Sequence, residues 1–232
     1  MDTPVERDLT ALRTIVAALV AMAGASRATL PRHLYRSLLW LVRPAEAVVR
    51  RLVIVLARDM ALPASALRFY RSQERARCGA QRSLPKSVPL LDPLKRFGRA
   101  RPSRHGVSRI SLPGVSAPFM IAPRHVAQPD DLIDATRLKA RLDALQRVLR
   151  NPEPLALRMA RWQAKLRFQL NAIHAQEASH RRRSQRISPL RPGHPPGHFP
   201  ASRRLADRHR VHDLLEHAQE LALFAMTRPD TS

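Results

Sequence analysis

The sequence predicts an all-α protein whose helices are joined by extended Pro-rich segments, and three observations support this fold class. Apolar residues make up 44% of the 232-residue chain, which is enough to form a core, while aromatic residues make up 4%. Seven glycines are present, and β-rich folds use aromatic residues and glycine-containing turns more heavily. Apolar residues also recur at helical spacing in several stretches, above all in residues 130–184.

Residues 130–184 are predicted to form a helical hairpin. The first helix carries a leucine stripe at helical spacing: Leu138, Leu142, Leu145 and Leu149. Asn151-Pro152 ends it, because a residue before proline avoids the α region. The second helix has its own apolar side: Leu155, Met159, Trp162, Leu166 and Ile173. The short turn predicts that the two helices pack antiparallel through these faces, and that the pair also packs on the N-terminal helices or a partner.

Three acidic residues, Asp130, Asp131 and Asp134, follow Pro129 at the start of this hairpin. Carboxylates at a helix start accept hydrogen bonds from free N–H groups and suit the positive end of the helix dipole. We therefore expect the first helix of the hairpin to begin among these residues.

Residues 1–83 are predicted to form an N-terminal helical region. Residues 5–23 favour a buried helix over a signal peptide, because the chain start is acidic, and over a membrane span, because the apolar run is short. A second helix is predicted from the face formed by Leu34, Leu38, Leu41 and Val42. Pro44 and Glu46 predict the opening of a third helix, which extends to about Met60.

Two Pro-rich regions separate the helical parts of the chain. Residues 84–129 contain eight prolines and read as a basic linker or a docked strap, and residues 185–206 form a second Pro/His/Arg-rich link. Prolines at such spacing exclude regular helices and central strands. Residues 207–232 are predicted to form a C-terminal helix and tail.

The formal net charge of +23, with a pI near 11.8, points to polyanionic partners. Arginine supplies most of the charge, with 37 arginines against four lysines. Arg-rich helix faces are the predicted binding surface, because guanidinium groups neutralise phosphates. The candidate binding residues are Arg68, Arg71, Arg75, Arg158, Arg161, Lys165, Arg181, Arg182 and Arg183.

The leading hypothesis is therefore a non-enzymatic polyanion-binding protein, with nucleic acid as the first ligand to consider. Two alternatives stay open. One is a helical interaction or scaffold protein that docks a protein partner, its basic charge being a product of composition. The other is peripheral membrane association through a basic amphipathic helix. Integral membrane insertion is not expected, and a cytoplasmic location is the working assumption.

Catalytic and cofactor motifs do not emerge from the sequence. It contains no glycine-rich phosphate loop, dinucleotide fingerprint or nucleophile elbow, so we assign no catalytic residue and no cofactor.

Cysteine and histidine residues give no disulfide or metal site either. Cys78 is the single cysteine, which excludes an intramolecular disulfide. His194 and His198 invite a zinc hypothesis, but the ligand set is incomplete, and a loop with hydrogen-bonded histidines is the preferred interpretation. We therefore assign no metal site.

The C-terminal part of the chain resembles a group of uncharacterised basic bacterial proteins. The residues that carry the resemblance are Arg-Pro-Gly-His-Pro-Pro-Gly-His, from Arg191 to His198, and the Pro-Asp-Thr-Ser ending. The resemblance covers about the final third of the chain. It implies no activity, cofactor or catalytic residue, and favours a bacterial, intracellular setting.

Overall fold

A computed structural model describes residues 3–24, 28–60, 62, 84, 87–94, 128–175, 188–200 and 202–227, with the side chains of residues 168–175 left out. These residues confirm the all-α prediction, since they form five α-helices and one short two-stranded sheet. In chain order the elements are α1 (Pro4–Ala23), β1 (Thr29–Pro31), α2 (Arg32–Arg58), β2 (Leu132–Asp134), α3 (Thr136–Arg150), α4 (Glu153–Ala175), a 3-10 turn (Leu205–Asp207) and α5 (Arg210–Thr227).

Helix α1 begins with a capping box. The Thr3 hydroxyl accepts a hydrogen bond from the Glu6 N–H at 3.2 Å, and the Glu6 carboxylate accepts one from the Thr3 N–H at 2.9 Å. The helix ends at Gly24, whose φ of +65° suits a residue without a side chain. One face of the helix is buried, which agrees with the helix expected at residues 5–23: Leu9, Leu12, Val16, Leu19 and Ala23.

Helix α2 is the centre of the fold and packs against all four other helices. The two helices expected on either side of Pro44 are wrong, because Pro44 lies inside one continuous helix. Every residue from 44 to 54 is buried, so this stretch is covered on all sides. Burial of its apolar side chains stabilises the helix and offsets the hydrogen bond that the proline nitrogen cannot donate.

The helix start expected at Asp130 is also wrong. Residues 132–134 instead form β2, which pairs antiparallel with β1, with Leu30 opposite Ile133. Helix α3 begins only at Thr136, whose N–H donates to the Asp134 carboxylate at 2.9 Å. The Asp131 carboxylate accepts a hydrogen bond from the Gln128 N–H at 2.9 Å. Asp131 therefore stabilises a turn, whereas Asp134 ends β2 and accepts from the first N–H of α3, as expected for a carboxylate at a helix start.

Helices α3 and α4 are separated at Asn151-Pro152, where the sequence places the break. The Asn151 side chain accepts a hydrogen bond from the Glu153 N–H at 3.2 Å, which connects the two helix ends. Among the described residues, however, α3 packs on α1 and α2, and α4 packs on α2, while contact between α3 and α4 is minor. The expectation that their apolar faces meet each other is wrong, since the described residues of α3 pack on α1 and α2 and those of α4 on α2.

Parts of both Pro-rich regions are packed into the core. Val88 and Asp92 of the first region, and Leu190 and Phe199 of the second, are buried. The Asp92 N–H donates to the Pro189 carbonyl at 2.9 Å, so the two regions lie side by side. Residues 95–127 and 185–187 lie outside the described residues, and the domain boundaries drawn from the sequence stay predictions.

Candidate functional site

Three of the candidate binding residues lie on one exposed face of α4. Arg158, Arg161 and Lys165 are spaced by three and four residues, so that at 3.6 residues per turn they form a short row along the helix. All three are exposed, while Leu155 and Met159 on the other side are buried. Helix α4 therefore has the amphipathic arrangement that the sequence predicts.

The other candidate binding residues cannot be placed relative to this row. They lie outside the described part of the chain: Arg68, Arg71, Arg75, Arg181, Arg182 and Arg183. The structure therefore describes one third of the predicted polyanion surface.

Within the described residues, no carboxylate lies within ion-pair distance of Arg158, Arg161 or Lys165. Some arginines elsewhere are paired: Arg208, for example, contacts the carboxylates of both Asp213 and Glu216 at 2.6 Å. Glu153 is the one acidic residue in the sequence of α4, and it lies in the first turn. The α4 row is thus a cluster of cations with little local compensation.

A second group of charged residues, which the sequence did not reveal, lies inside the protein. Asp92 is fully buried and accepts hydrogen bonds from Arg50 Nε at 2.7 Å and from Arg51 Nη2 at 3.0 Å. Arg51 also donates to the Ala47 carbonyl at 2.9 Å and to the Gln219 side chain of α5. This Asp92 cluster therefore connects the first Pro-rich region, α2 and α5.

The protonation of the Asp92 cluster follows from its geometry. Burial on its own raises the pKa of Asp92, but the positive charges of Arg51 and Arg50 and their hydrogen bonds outweigh it, so the pKa is lowered. Burial lowers the pKa of Arg51, and Asp92 offsets only part of this effect, while Arg50 and Arg191 lower it further. The cluster is consequently an ion pair with an excess of positive charge around it.

The adjoining surface contains a bidentate ion pair between α2 and α3. Arg141 Nε and Nη2 donate to the two carboxylate oxygens of Glu46 at 2.7 and 2.9 Å. Burial lowers the pKa of Arg141, but the hydrogen bond and charge of Glu46 outweigh it and raise the pKa overall. This pair fixes one side chain of α3 beside the Asp92 cluster.

A weak signal in the sequence could have revealed the Asp92 cluster. Asp92 is the one acidic residue among residues 84–129, and it sits between Leu91 and Pro93. Arg50-Arg51 interrupts an otherwise apolar stretch of α2. Charged groups that become buried must find an opposite charge. A single carboxylate in one apolar segment and two arginines in another apolar segment are therefore candidates to pair with each other.

The second Pro-rich region docks on α2 and α5 through aromatic rings. His212 is buried between Trp40 and Phe199, whose ring centroids lie 5.4 and 5.2 Å from its own. The Arg203 guanidinium lies 3.9 Å from the centre of the Trp40 ring.

The rings of His194 and His198 stack in parallel, with their centroids 4.1 Å apart. Burial and the neighbouring His194 both lower the pKa of His198.

Neither a metal centre nor a membrane-spanning helix is found in the part of the chain that the structure describes. No group of three or more His, Cys, Asp or Glu side chains there could hold a metal ion. No described helix is long and apolar enough to cross a bilayer.

Comparison with known proteins gives no relative from which a function could be transferred. No protein-family model matches the chain, and the searches of curated proteins and of solved structures returned no match. The resemblance of the string from Arg191 to His198 to a group of basic bacterial proteins therefore stays a prediction.

Proposed function

We propose that this protein binds polyanions without catalysing a reaction, and that nucleic acid is its ligand. The observation that carries the proposal is the row of Arg158, Arg161 and Lys165 on the exposed face of α4. This helix is held firmly by its buried face on α2, so the three cations are presented on a fixed support.

The physical basis is the release of counterions from the phosphate backbone. Each arginine or lysine that neutralises a phosphate of a duplex releases bound cations, and the logarithm of the affinity falls with the logarithm of salt by about 0.9 per contact. Three contacts from α4 would therefore contribute a slope of roughly −2.7. The net charge of +23 adds long-range attraction that favours encounter with any nucleic acid.

The test compares matched charge-removal variants. The first variant combines Arg158→Gln, Arg161→Gln and Lys165→Gln, and the control removes the same charge at exposed positions of α1, α2 and α5 through Arg7→Gln, Arg36→Gln and Arg210→Gln. Binding of a fluorescent duplex is measured by anisotropy over a salt series from about 50 to 200 mM. We expect the α4 variant to reduce the salt slope by roughly 2 to 3, and the control to change it much less.

Three outcomes would count against the proposal. Absence of binding by the wild-type chain at low salt would reject it, and equal loss in both variants would show that the α4 row has no special role. A stoichiometric protein partner that stays bound at high salt in a pull-down would favour the interaction or scaffold alternative, since apolar docking is little affected by screening.

A further inference from the structure

A solvent-accessible groove lies between α2, α3 and the two Pro-rich regions. Its larger part has a volume of about 450 Å³, and charged residues from three of these elements line it: Arg43, Glu46, Arg50, Arg141 and Arg191. A smaller part of about 250 Å³ shares Glu46 and Arg141 with the first and adds Arg137. We refer to both parts together as the arginine groove.

We propose that the arginine groove is a binding site for a small phosphate-bearing anion. This site is separate from the α4 row, because no described residue of α4 lines the groove. It therefore adds a ligand class to the polyanion-binding function and does not depend on it.

The balance of charge in the groove favours an anion. Five arginines line it, and among the described lining residues Glu46 is the one carboxylate. Asp92 lies directly behind, but it is fully buried and already binds both Arg50 and Arg51. Positive charge thus exceeds negative charge among the described lining residues, in a setting where protein walls reduce solvent screening.

Not all of these arginines are occupied by internal partners. Arg141 is paired with Glu46, and Arg50 with Asp92, whereas no ion pair forms at Arg43 or Arg137 among the described residues. The Arg191 Nε donates to the His194 carbonyl at 2.6 Å, a neutral acceptor. Arg43, Arg137 and Arg191 therefore retain donors for a ligand.

The backbone that forms the walls of the groove has little conformational freedom, because proline fixes φ. Prolines from both Pro-rich regions line it, and Gly197 lies against Pro44 so closely that a Cβ atom there would be 2.5 Å from the proline nitrogen. A site whose shape exists before binding loses less entropy when the ligand enters. The larger part of the groove also has a volume within the range of small-molecule sites.

Phosphate fits these donors better than a monovalent halide does. A phosphate group carries up to two negative charges and several acceptor oxygens, and planar guanidinium groups bind such oxygens in pairs. The groove presents guanidinium groups from α2, α3 and the second Pro-rich region to one volume. A phosphate can therefore bridge elements that are remote in the sequence.

Inorganic phosphate is the probe, added to the full-length protein in phosphate-free buffer, with chloride at matched ionic strength as the reference. Dissociation constants come from isothermal titration calorimetry, supported by the rise in melting temperature. The variant combines Arg43→Gln and Arg191→Gln, because neither guanidinium group forms an ion pair among the described residues. The matched control combines Arg7→Gln and Arg36→Gln, which removes the same charge elsewhere.

We expect phosphate to bind the wild-type protein and the control equally, and the groove variant at least about tenfold more weakly, as expected for the loss of a charged hydrogen bond. A single cooperative thermal unfolding transition of the ligand-free groove variant would show that it folds. No phosphate binding beyond the chloride reference, or equal binding by the groove variant, would overturn the proposal. Binding of a 5′-phosphorylated oligonucleotide in the groove without binding of free phosphate would overturn it too, since the groove would then belong to the nucleic-acid surface.

Discussion

Arg51 of α2 and Asp92 of the first Pro-rich region form an ion pair, 3.0 Å between Nη2 and Oδ2, in which both side chains are almost completely buried. The pair joins a segment without regular secondary structure to the most buried stretch of the central helix.

Replacement of Asp92 by asparagine is predicted to destabilise the protein strongly. Asp92→Asn would leave the buried Arg51 without a counter-charge and Arg50 with Glu46 alone, 4.0 Å away, and the loss of a buried partner typically costs about 3–5 kcal/mol. The free energy of unfolding in urea measures the effect. The control is Asp130→Asn, an exposed carboxylate near His33, which should change stability by less than about 0.5 kcal/mol. A similar small change for Asp92→Asn would contradict the buried pair.

Stability should also fall in acid because of Asp92. Its pKa is lowered in the folded protein, so the cluster contributes fully above the ordinary aspartate pKa of about 3.9. The contribution is lost as the pH falls from there through the lower folded pKa. Urea unfolding as a function of pH should show this decline for the wild type, and Asp92→Asn should show less of it.

A second pH dependence is expected from His212. Burial lowers its pKa, and the hydrogen bond to the His209 backbone offsets only part of the effect. The buried Nε2 has no hydrogen-bond partner among the described residues, so protonation is unfavourable there. Stability should be complete above the unfolded histidine pKa of about 6.5 and decline as the pH falls below it.

His212→Phe tests this prediction, because a phenyl ring fits between Trp40 and Phe199 and cannot be protonated. The decline in the free energy of unfolding below about pH 6.5 should become shallower in this variant. The exposed His33→Gln serves as control and should keep the wild-type decline. An unchanged decline in His212→Phe would assign the effect to other histidines, with His198 as the next to test.

Gly197 and Gly193 allow a matched test of the docking of the second Pro-rich region. Both have positive φ, +82° and +76°, so alanine at either position pays a conformational penalty of about 1–2 kcal/mol. A Cβ at Gly193 meets nothing within 4 Å, but one at Gly197 would lie 2.5 to 2.8 Å from three atoms of Pro44. Gly197→Ala should therefore lower the free energy of unfolding by about 1–3 kcal/mol more than Gly193→Ala.

The packing of α3 can be tested through its leucines. Leu142 is 1% exposed, and Leu142→Ala should destabilise the fold by about 2–5 kcal/mol, because a cavity remains after truncation. Leu132 in β2 is 70% exposed, and Leu132→Ala should have a small effect on urea unfolding. Equal small effects would show that the α3 face is not part of the core.

Local patterns in the sequence predict the helices well. The leucine stripe of α3 and the proline after Asn151 define one helix and its end, because apolar periodicity and proline act over a few neighbouring residues. The apolar run of residues 5–23 likewise corresponds to α1, and the C-terminal pattern to α5. These elements depend on features contained within each segment.

Features that depend on distant residues were not predictable in this way. Pro44 is tolerated inside α2, where Gly197 packs against it and both sides of the helix are covered. Gly197 is remote from Pro44 in the sequence, so the residues next to Pro44 do not predict that the helix continues through it. The strands β1 and β2 contain three residues each, too few to show a period. The arginine groove requires α2, α3 and both Pro-rich regions to come together, so its residues do not form a motif.

The hydrogen bond from the Asp92 N–H to the Pro189 carbonyl joins two points that are far apart in the sequence. The described residues between these two points include α3, which packs on α1 and α2, and α4, which packs on α2. The contact therefore closes a long stretch of sequence around helices that belong to the core. The entropy cost of such a closure depends only weakly on its length, changing by about 0.6 kcal/mol when the length doubles. A substitution that breaks the Asp92 cluster should consequently also weaken the packing of α3 and α4, because the same closure holds both ends of this stretch.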